Sequence, residues 1–155
     1  NPYHWLDVWN HSLHVLFEVK EKDLPLRLAA LLHDIGKPSC YVEGEDGVGH
    51  FYGHADKSVE ITEGVLKRLK YSNEIIDEVL TLVKYHDVQI SLSNKFIRRM
   101  LNKMPKETFE KLLANCILSL LLPVMYPIHL RLLFLYLLQY LHTGKLFFLQ
   151  TLLHL

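Results

Sequence analysis

Segment after segment of this chain repeats apolar residues at helical spacing, and a single Gly-rich stretch interrupts the pattern. In "WLDVWNHSLHVLFEVK", residues 5–20, Leu6, Trp9, Leu13, Leu16 and Phe17 form one stripe beside His11. That spacing predicts an amphipathic helix with the stripe turned inward. Pro25 stands at a helix-start position in "LPLRLAALLHDIG", which is apolar almost all round until Gly36 and Pro38, so a buried helix is expected there. "ADKSVEITEGVLKRLKY" puts Val59, Thr62, Val65, Leu66 and Leu69 on one face, and Ser72-Asn73 caps the next helix, "EIIDEVLTLVKYHD". "NKFIRRMLNKMP" and "KETFEKLLANC" give two shorter helices parted at Pro105. Only residues 40–53 differ, with four glycines in ten residues around Asp46-Gly47; a short hairpin or ordered loop suits them. The expected class is all-α, a helical bundle with that one insertion.

A chain of 155 residues is about one domain's worth and can bury a core without disulfides. Seventeen basic and seventeen acidic residues balance, so partners must be argued from local features. Cys40 and Cys116 have no CxxC spacing and no secretory signal opens the chain, so the expected setting is cytoplasmic. The chain opens on Asn1-Pro2, which suits a piece of a longer polypeptide. Composition changes near Cys116: residues 112–155 hold eighteen leucines, no acidic residue, and only Arg131 and Lys145 as full charges. We therefore divide the chain into a domain of residues 1–115 and a Leu-rich tail of residues 116–155. The tail reads either as non-native sequence of the frameshift type or as a loosely packed helix, and resequencing the gene separates the two. Pro123, Pro127, His129 and Arg131 interrupt its best apolar window, which disfavours a membrane span.

Seven of the ten histidines fall within the first 86 residues, so the chemistry is expected there. His11 closes one helix face, His33-Asp34 ends a buried helix, His54 opens another, and His86-Asp87 ends the next. Consecutive helical residues point about 100° apart, so His33 and Asp34 would approach one ion from different flanks, with His11 as a third ligand. A lone His on an apolar face is more often a hydrogen-bonded core residue than a ligand. The joint arrangement is what argues for metal. Imidazole nitrogen with carboxylate oxygen suits Mn, Fe, Co, Ni or Zn, without the thiolates of a structural zinc site.

The series His11, "HD" at 33–34, His54 in "FYGHADKS" and "YHD" at 85–87 resembles the HD superfamily of metal-dependent phosphohydrolases. More narrowly, "NPYHWLDVWNHSL", "LAALLHDIGKP" and "HFYGHADKS" are similar to the HD domain that follows the nucleotidyltransferase core in bacterial tRNA nucleotidyltransferases. The likeness spans about residues 1–113. It implies an all-α HD-domain bundle and hydrolysis of phosphomonoesters or phosphodiesters, including 2′,3′-cyclic phosphates, on nucleotides or RNA ends. It also implies one or two divalent ions, Mn, Fe, Co, Ni, Zn or Mg, as cofactor. By position, His11, His33 and Asp34 fill the first three ligand places, and His54 and His86 match the extra histidines of two-metal members. The family's last Asp usually lies on a later helix, near Ile117 to Ser119 here, and this chain has no Asp after 87. Asp87 or water is left to complete the ligand set.

Lys37 follows Asp34 closely enough to set a cation against a substrate phosphate, although cations are favoured after helix ends in any case. Asp34 and Lys37 are thus the expected catalytic residues, while His4 and His14 read as structural and His50 as an exposed strand residue or one at the pocket mouth. Lys95, Arg98, Arg99, Lys103 and Lys106 form a basic run without an acid between 88 and 106, a surface that would suit the phosphate backbone of tRNA or simply a solvated face. Two functions stand side by side: a phosphohydrolase acting on a phosphate ester or nucleotide, and a non-catalytic HD module that positions tRNA for a nucleotidyltransferase domain. Nothing here resembles the paired carboxylates and Gly-Ser loop of a polymerase core, so nucleotide addition is not expected of these residues.

Overall fold

A computed structural model of the protein describes residues 7–19, 22–45, 47–91 and 93–121. The described residues form six α-helices: α1 (Val8–Glu18), α2 (Leu24–Leu32), α3 (His54–Arg68), α4 (Asn73–Tyr85), α5 (Asn94–Leu101) and α6 (Lys106–Leu121). A 3-10 turn, Lys37–Cys40, and an antiparallel ribbon of β1 (Val42–Glu43) with β2 (Gly49–His50) fill the interval between α2 and α3, and Val42 lies opposite His50. The all-α expectation and the single insertion at 40–53 both hold.

Local chemistry sets the helix ends. Asp7, Asp23, Ser72 and Ser93 are N-caps whose side chains accept from the backbone N–H three residues on, each satisfying one donor the helix leaves orphaned. The C-terminus of α3 closes in a Schellman motif: Tyr71 N–H donates to Leu66 O at 3.1 Å and Lys70 N–H to Lys67 O at 3.0 Å. This places Lys70 at φ 60°, a conformation that suits Gly better than any residue with a Cβ. Lys70→Gly is therefore expected to raise stability by about 1 kcal/mol, read as a higher urea midpoint at unchanged slope.

The main core gathers Ala29 and Leu32 of α2, Leu66 of α3, Ile76, Val79, Leu82 and Val83 of α4, Phe96, Ile97 and Met100 of α5, and Phe109, Leu112 and Leu113 of α6. A smaller cluster, Val15, Val19, Leu26 and Ala30, joins α1 to α2. Across the bundle, Lys111 of α6 reaches Asp23 at 2.6 Å and Glu78 of α4 at 2.7 Å. The pair of carboxylates outweighs the effect of burial and raises the Lys111 pKa.

One expected face is largely reversed: of its stripe, Leu16 packs against the smaller cluster and Leu6 lies outside the described residues. Trp9, Leu13 and Phe17 of α1 are exposed, Trp9 by 63% and Phe17 by 85%, while His11, Ser12 and Val15 are buried. Residues 9, 13 and 17 lie on nearly the opposite side of a 3.6-residue helix from 11, 15 and 19. α1 therefore turns His11 inward and leaves the larger apolar side chains in solvent. Leu69, expected on the inner face of α3, is likewise exposed.

The expected boundary after residue 115 falls within α6, which continues to Leu121. Most of the Leu-rich tail, residues 122–155, lies outside the described residues. Among the described residues, no helix is long and apolar enough to cross a membrane.

Candidate metal centre

Four helices end, begin or turn inward around one carboxylate. Asp34 follows directly after His33, the C-cap of α2, and is almost wholly buried. Its Oδ2 lies 3.3 Å from His33 Nε2, 3.8 Å from His11 Nε2 and 2.7 Å from Lys37 Nζ. Its Oδ1 lies 3.3 Å from His86 Nε2 and 3.6 Å from His54 Nε2. The ligand atoms of His11, His33 and Asp34 all fall within 4.8 Å of one another, as do those of Asp34, His54 and His86. Either group could hold a metal ion, with Asp34 common to both.

The backbone fixes which ring nitrogen faces inward. His33 Nδ1 lies 2.8 Å from Ala30 O, His54 Nδ1 2.9 Å from Phe51 O, and His86 Nδ1 2.7 Å from Val83 O. A carbonyl only accepts, so each Nδ1 carries the proton and each neutral ring presents an Nε2 lone pair to the cluster. His33 and His86 can do this because they stand at the C-caps of α2 and α4, where last-turn carbonyls have acceptor capacity to spare; Val83 O takes both the backbone N–H and the ring N–H of His86. Two helix C-termini, with their partial negative charge, thus border the cluster and favour a cation there. The buried thiol of Cys116 tightens the same corner by donating to His86 O at 3.0 Å. Burial, with Asp87 nearby, pushes that thiol up to about 12, so it is a packing group with no nucleophilic role.

The site fits a cation better than it fits its own protein partners. His33 Nε2 and Asp34 Oδ1 are buried without a hydrogen-bond partner among the described residues. With the Nδ1 positions protonated, the 3.3 Å contacts to Asp34 become hydrogen bonds only when a ring is charged. His54 Nε2 and His86 Nε2 stand 3.2 Å apart, two lone pairs facing each other in the neutral tautomers. Such an arrangement is costly unless a cation or a proton lies between them. Burial alone would raise the Asp34 pKa, but hydrogen bonds from the His33 and His86 rings in their protonated form, with the Lys37 charge, outweigh it and hold the carboxyl well below its usual range. Burial pushes the His54 pKa below its ordinary value, favouring the neutral, ligating form.

Of the residues expected at the site, His11, His33, Asp34, His54 and His86 come together, and Lys37 joins them through Asp34. Asp87 does not. It is exposed because His86 already takes the inward direction at the end of α4 and the next residue is turned about 100° away; this corrects its expected role as a ligand. His14 is exposed, in keeping with a structural reading.

Sequence reasoning missed what brings α3 to the site. A Cβ on Gly36 would lie 2.6 Å from His54 O, 2.6 Å from Ser58 N and 2.9 Å from Ser58 Oγ, and Gly36 N–H donates to that same Oγ at 2.9 Å. The first turn of α3 rests directly on the Gly36 backbone. The pair of small residues is a signal only once the two segments are known to touch.

The family model of the HD domain matches residues 3–142. Among curated proteins, the chain is similar to the A-adding tRNA nucleotidyltransferase of Deinococcus radiodurans, 35% identical over 106 residues, which cover 65% of this chain and 24% of that protein. It is also similar to the CC-adding tRNA nucleotidyltransferase of Thermus thermophilus, 37% identical over 101 residues, covering 62% of this chain and 23% of that protein. A multifunctional CCA protein of a Janthinobacterium species is 42% identical over 64 residues, covering 41% of this chain and 15% of that protein. The matched part of this chain thus spans about a quarter or less of these relatives' length. No solved structure matches.

Proposed function

This chain belongs to the HD-domain family, and from that premise we propose that it is a divalent-metal-dependent phosphohydrolase acting on phosphomonoesters or phosphodiesters of nucleotides or RNA ends. The observation that carries the proposal is the convergence of three Nε2 lone pairs, each fixed by its own Nδ1–H to a carbonyl, on the carboxylate of Asp34. Histidines oriented in this way by backbone carbonyls are the usual support of a metal site.

His11, His33 and Asp34 would hold one ion, and Asp34, His54 and His86 a second. When bound, a divalent ion supplies Lewis-acid activation of water and neutralises charge on the phosphoryl oxygens. The chain's own groups do the rest. Asp34 supplies the anionic ligand and, among the described residues, the only carboxylate in the cluster. Lys37, held 2.7 Å from Asp34 and mostly buried, sets a positive charge at the edge of the site, where a phosphate oxygen would compete for it. The walls of α2, α3 and α4 keep water from the rest of the cluster and so strengthen these interactions.

The experiment that tests this reading is a screen of phosphate esters, including nucleoside 2′,3′-cyclic phosphates, with the protein loaded with Mn, Fe, Co, Ni, Zn or Mg in turn. Hydrolysis that a chelator abolishes and metal restores is expected; no turnover with any metal and ester would refute it. Lys37→Ala is expected to retain its metal and raise KM about tenfold or more with a smaller change in kcat, since the residue is assigned to phosphate and not to the ion. Loss of metal in that variant would reassign Lys37 to holding Asp34.

A second reading, an HD module that positions tRNA, is favoured by one observation. Lys95, Arg98, Arg99 and Lys103 are all exposed, and none of the four is ion-paired among the described residues. The Arg99 guanidinium lies 5.3 Å from the centre of the Phe96 ring and Lys103 Nζ 4.9 Å from that of Tyr85, so both heads are held at the surface. If they contact RNA, tRNA affinity falls with salt and the slope is shallower when Arg98 and Arg99 are replaced by Ala.

A further inference from the structure

The small ribbon beside the metal centre has two unlike faces. His50 and Tyr52 stack on one face, ring centres 5.2 Å apart at 12°. On the other face, Tyr41 meets Phe51 at 5.7 Å. Strand alternation puts Gly49 on that second face as well, and a Cβ there would run into Cε2 of Tyr41. The Tyr41 ring therefore stands with its Cε2 edge on a residue with no side chain, and Tyr41 remains 53% exposed.

This second face is joined to the candidate metal centre contact by contact. Lys37 Nζ lies 2.7 Å from Asp34 Oδ2 and 5.8 Å from the centre of the Phe51 ring, and Phe51 O accepts from His54 Nδ1. An ester whose phosphate reaches Lys37 has Phe51, and beyond it Tyr41, within reach of its alcohol portion. Exposed aromatic faces beside a cation recognise flat rings by stacking.

We propose that Tyr41, seated on Gly49 and flanked by Phe51, is the shelf on which the substrate's planar ring rests while its phosphate lies at Lys37 and Asp34. The shelf deepens the phosphohydrolase reading and rests on it. The site would then discriminate in favour of phosphate esters whose alcohol carries a flat ring, a nucleobase or a simple arene, over aliphatic ones.

The test uses the full chain loaded with Mn and three esters: adenosine 5′-monophosphate, phenyl phosphate and glycerol 1-phosphate. Both turnover and calorimetric binding are read, in wild type, Tyr41→Ala, Tyr41→Phe and the opposite-face control Tyr52→Ala. The expected result is a ring-over-glycerol preference that drops about tenfold in Tyr41→Ala, in KM and in binding, and is kept by Tyr41→Phe and Tyr52→Ala. A preference shared by both ring esters supports a shelf for any flat ring, and one confined to adenosine 5′-monophosphate supports a shelf for the nucleobase. Wild-type discrimination in Tyr41→Ala, or no preference in wild type, overturns the shelf while leaving the phosphohydrolase reading intact. If wild type hydrolyses none of the three esters with Mn, the phosphohydrolase reading is decided by the full metal and ester screen and the binding arm decides the shelf. A binding preference lost in Tyr41→Ala upholds it, and the absence of ester binding overturns it.

Discussion

Asp34→Ala is expected to lose its bound metal and about 1,000-fold or more of its phosphoester hydrolysis, the largest effect of any single substitution in this chain. Asp34 touches all four histidines of the cluster and Lys37, so its removal deletes the one carboxylate common to both candidate ligand groups. The same change leaves the ammonium of Lys37 mostly buried without its partner, which costs stability as well. Asp34→Asn separates the two effects. It keeps the shape and the fold but replaces one ligand oxygen by an amide nitrogen, which cannot ligate, so metal content should still fall. His14→Ala, on the exposed side of α1, should match wild type in both metal and turnover. If Asp34→Ala keeps both, the His-Asp pair is only a helix end.

Gly36→Ala should be nearly as damaging, although Gly36 carries no functional group. The added methyl would lie 2.6 Å from the backbone at both His54 and Ser58, atoms of a helix turn that cannot rotate aside. The first turn of α3 must move, at a cost of about 1–3 kcal/mol for overpacking and about 1 kcal/mol more if the Gly36 to Ser58 hydrogen bond is lost. His54 moves with it. A displacement of about 1 Å at a reacting centre can cost about 100-fold in rate, so turnover should fall by about that factor alongside a lower urea midpoint. A variant with the wild-type midpoint and activity would show that α3 does not rest on Gly36 as described.

The helices were legible in the sequence because apolar spacing, Asp and Ser caps and proline breaks all mark the same segments, and the structure starts α4 at Asn73 behind the Ser72 cap as the sequence implies. The rotation of α1 was not legible. Both of its faces carry apolar residues, and the choice between them depends on whether His11 is needed inside, which is a tertiary fact. His11, His33, Asp34, His54 and His86 were identifiable as one group from their joint pattern. Asp87 was not separable from them, since a one-residue step along a helix end decides between burial and solvent. What lay beyond sequence altogether were the backbone contributions: the carbonyls of Ala30, Phe51 and Val83, and the bare surface of Gly36. Neither leaves a side-chain signature. Lys111 was hidden for a related reason, because its partners, Asp23 and Glu78, sit on two other elements far away in the chain.

Whether the five convergent groups form a cation site can be read from crystals grown with Mn, through their anomalous scattering. One or two peaks are expected within ligand distance of the Asp34 carboxylate, with His33 Nε2 beside one of them and the Nε2 atoms of His54 and His86 beside the same or the second. A map at saturating Mn with no peak at Asp34, and with the His54 and His86 rings still paired at hydrogen-bond distance, would contradict it.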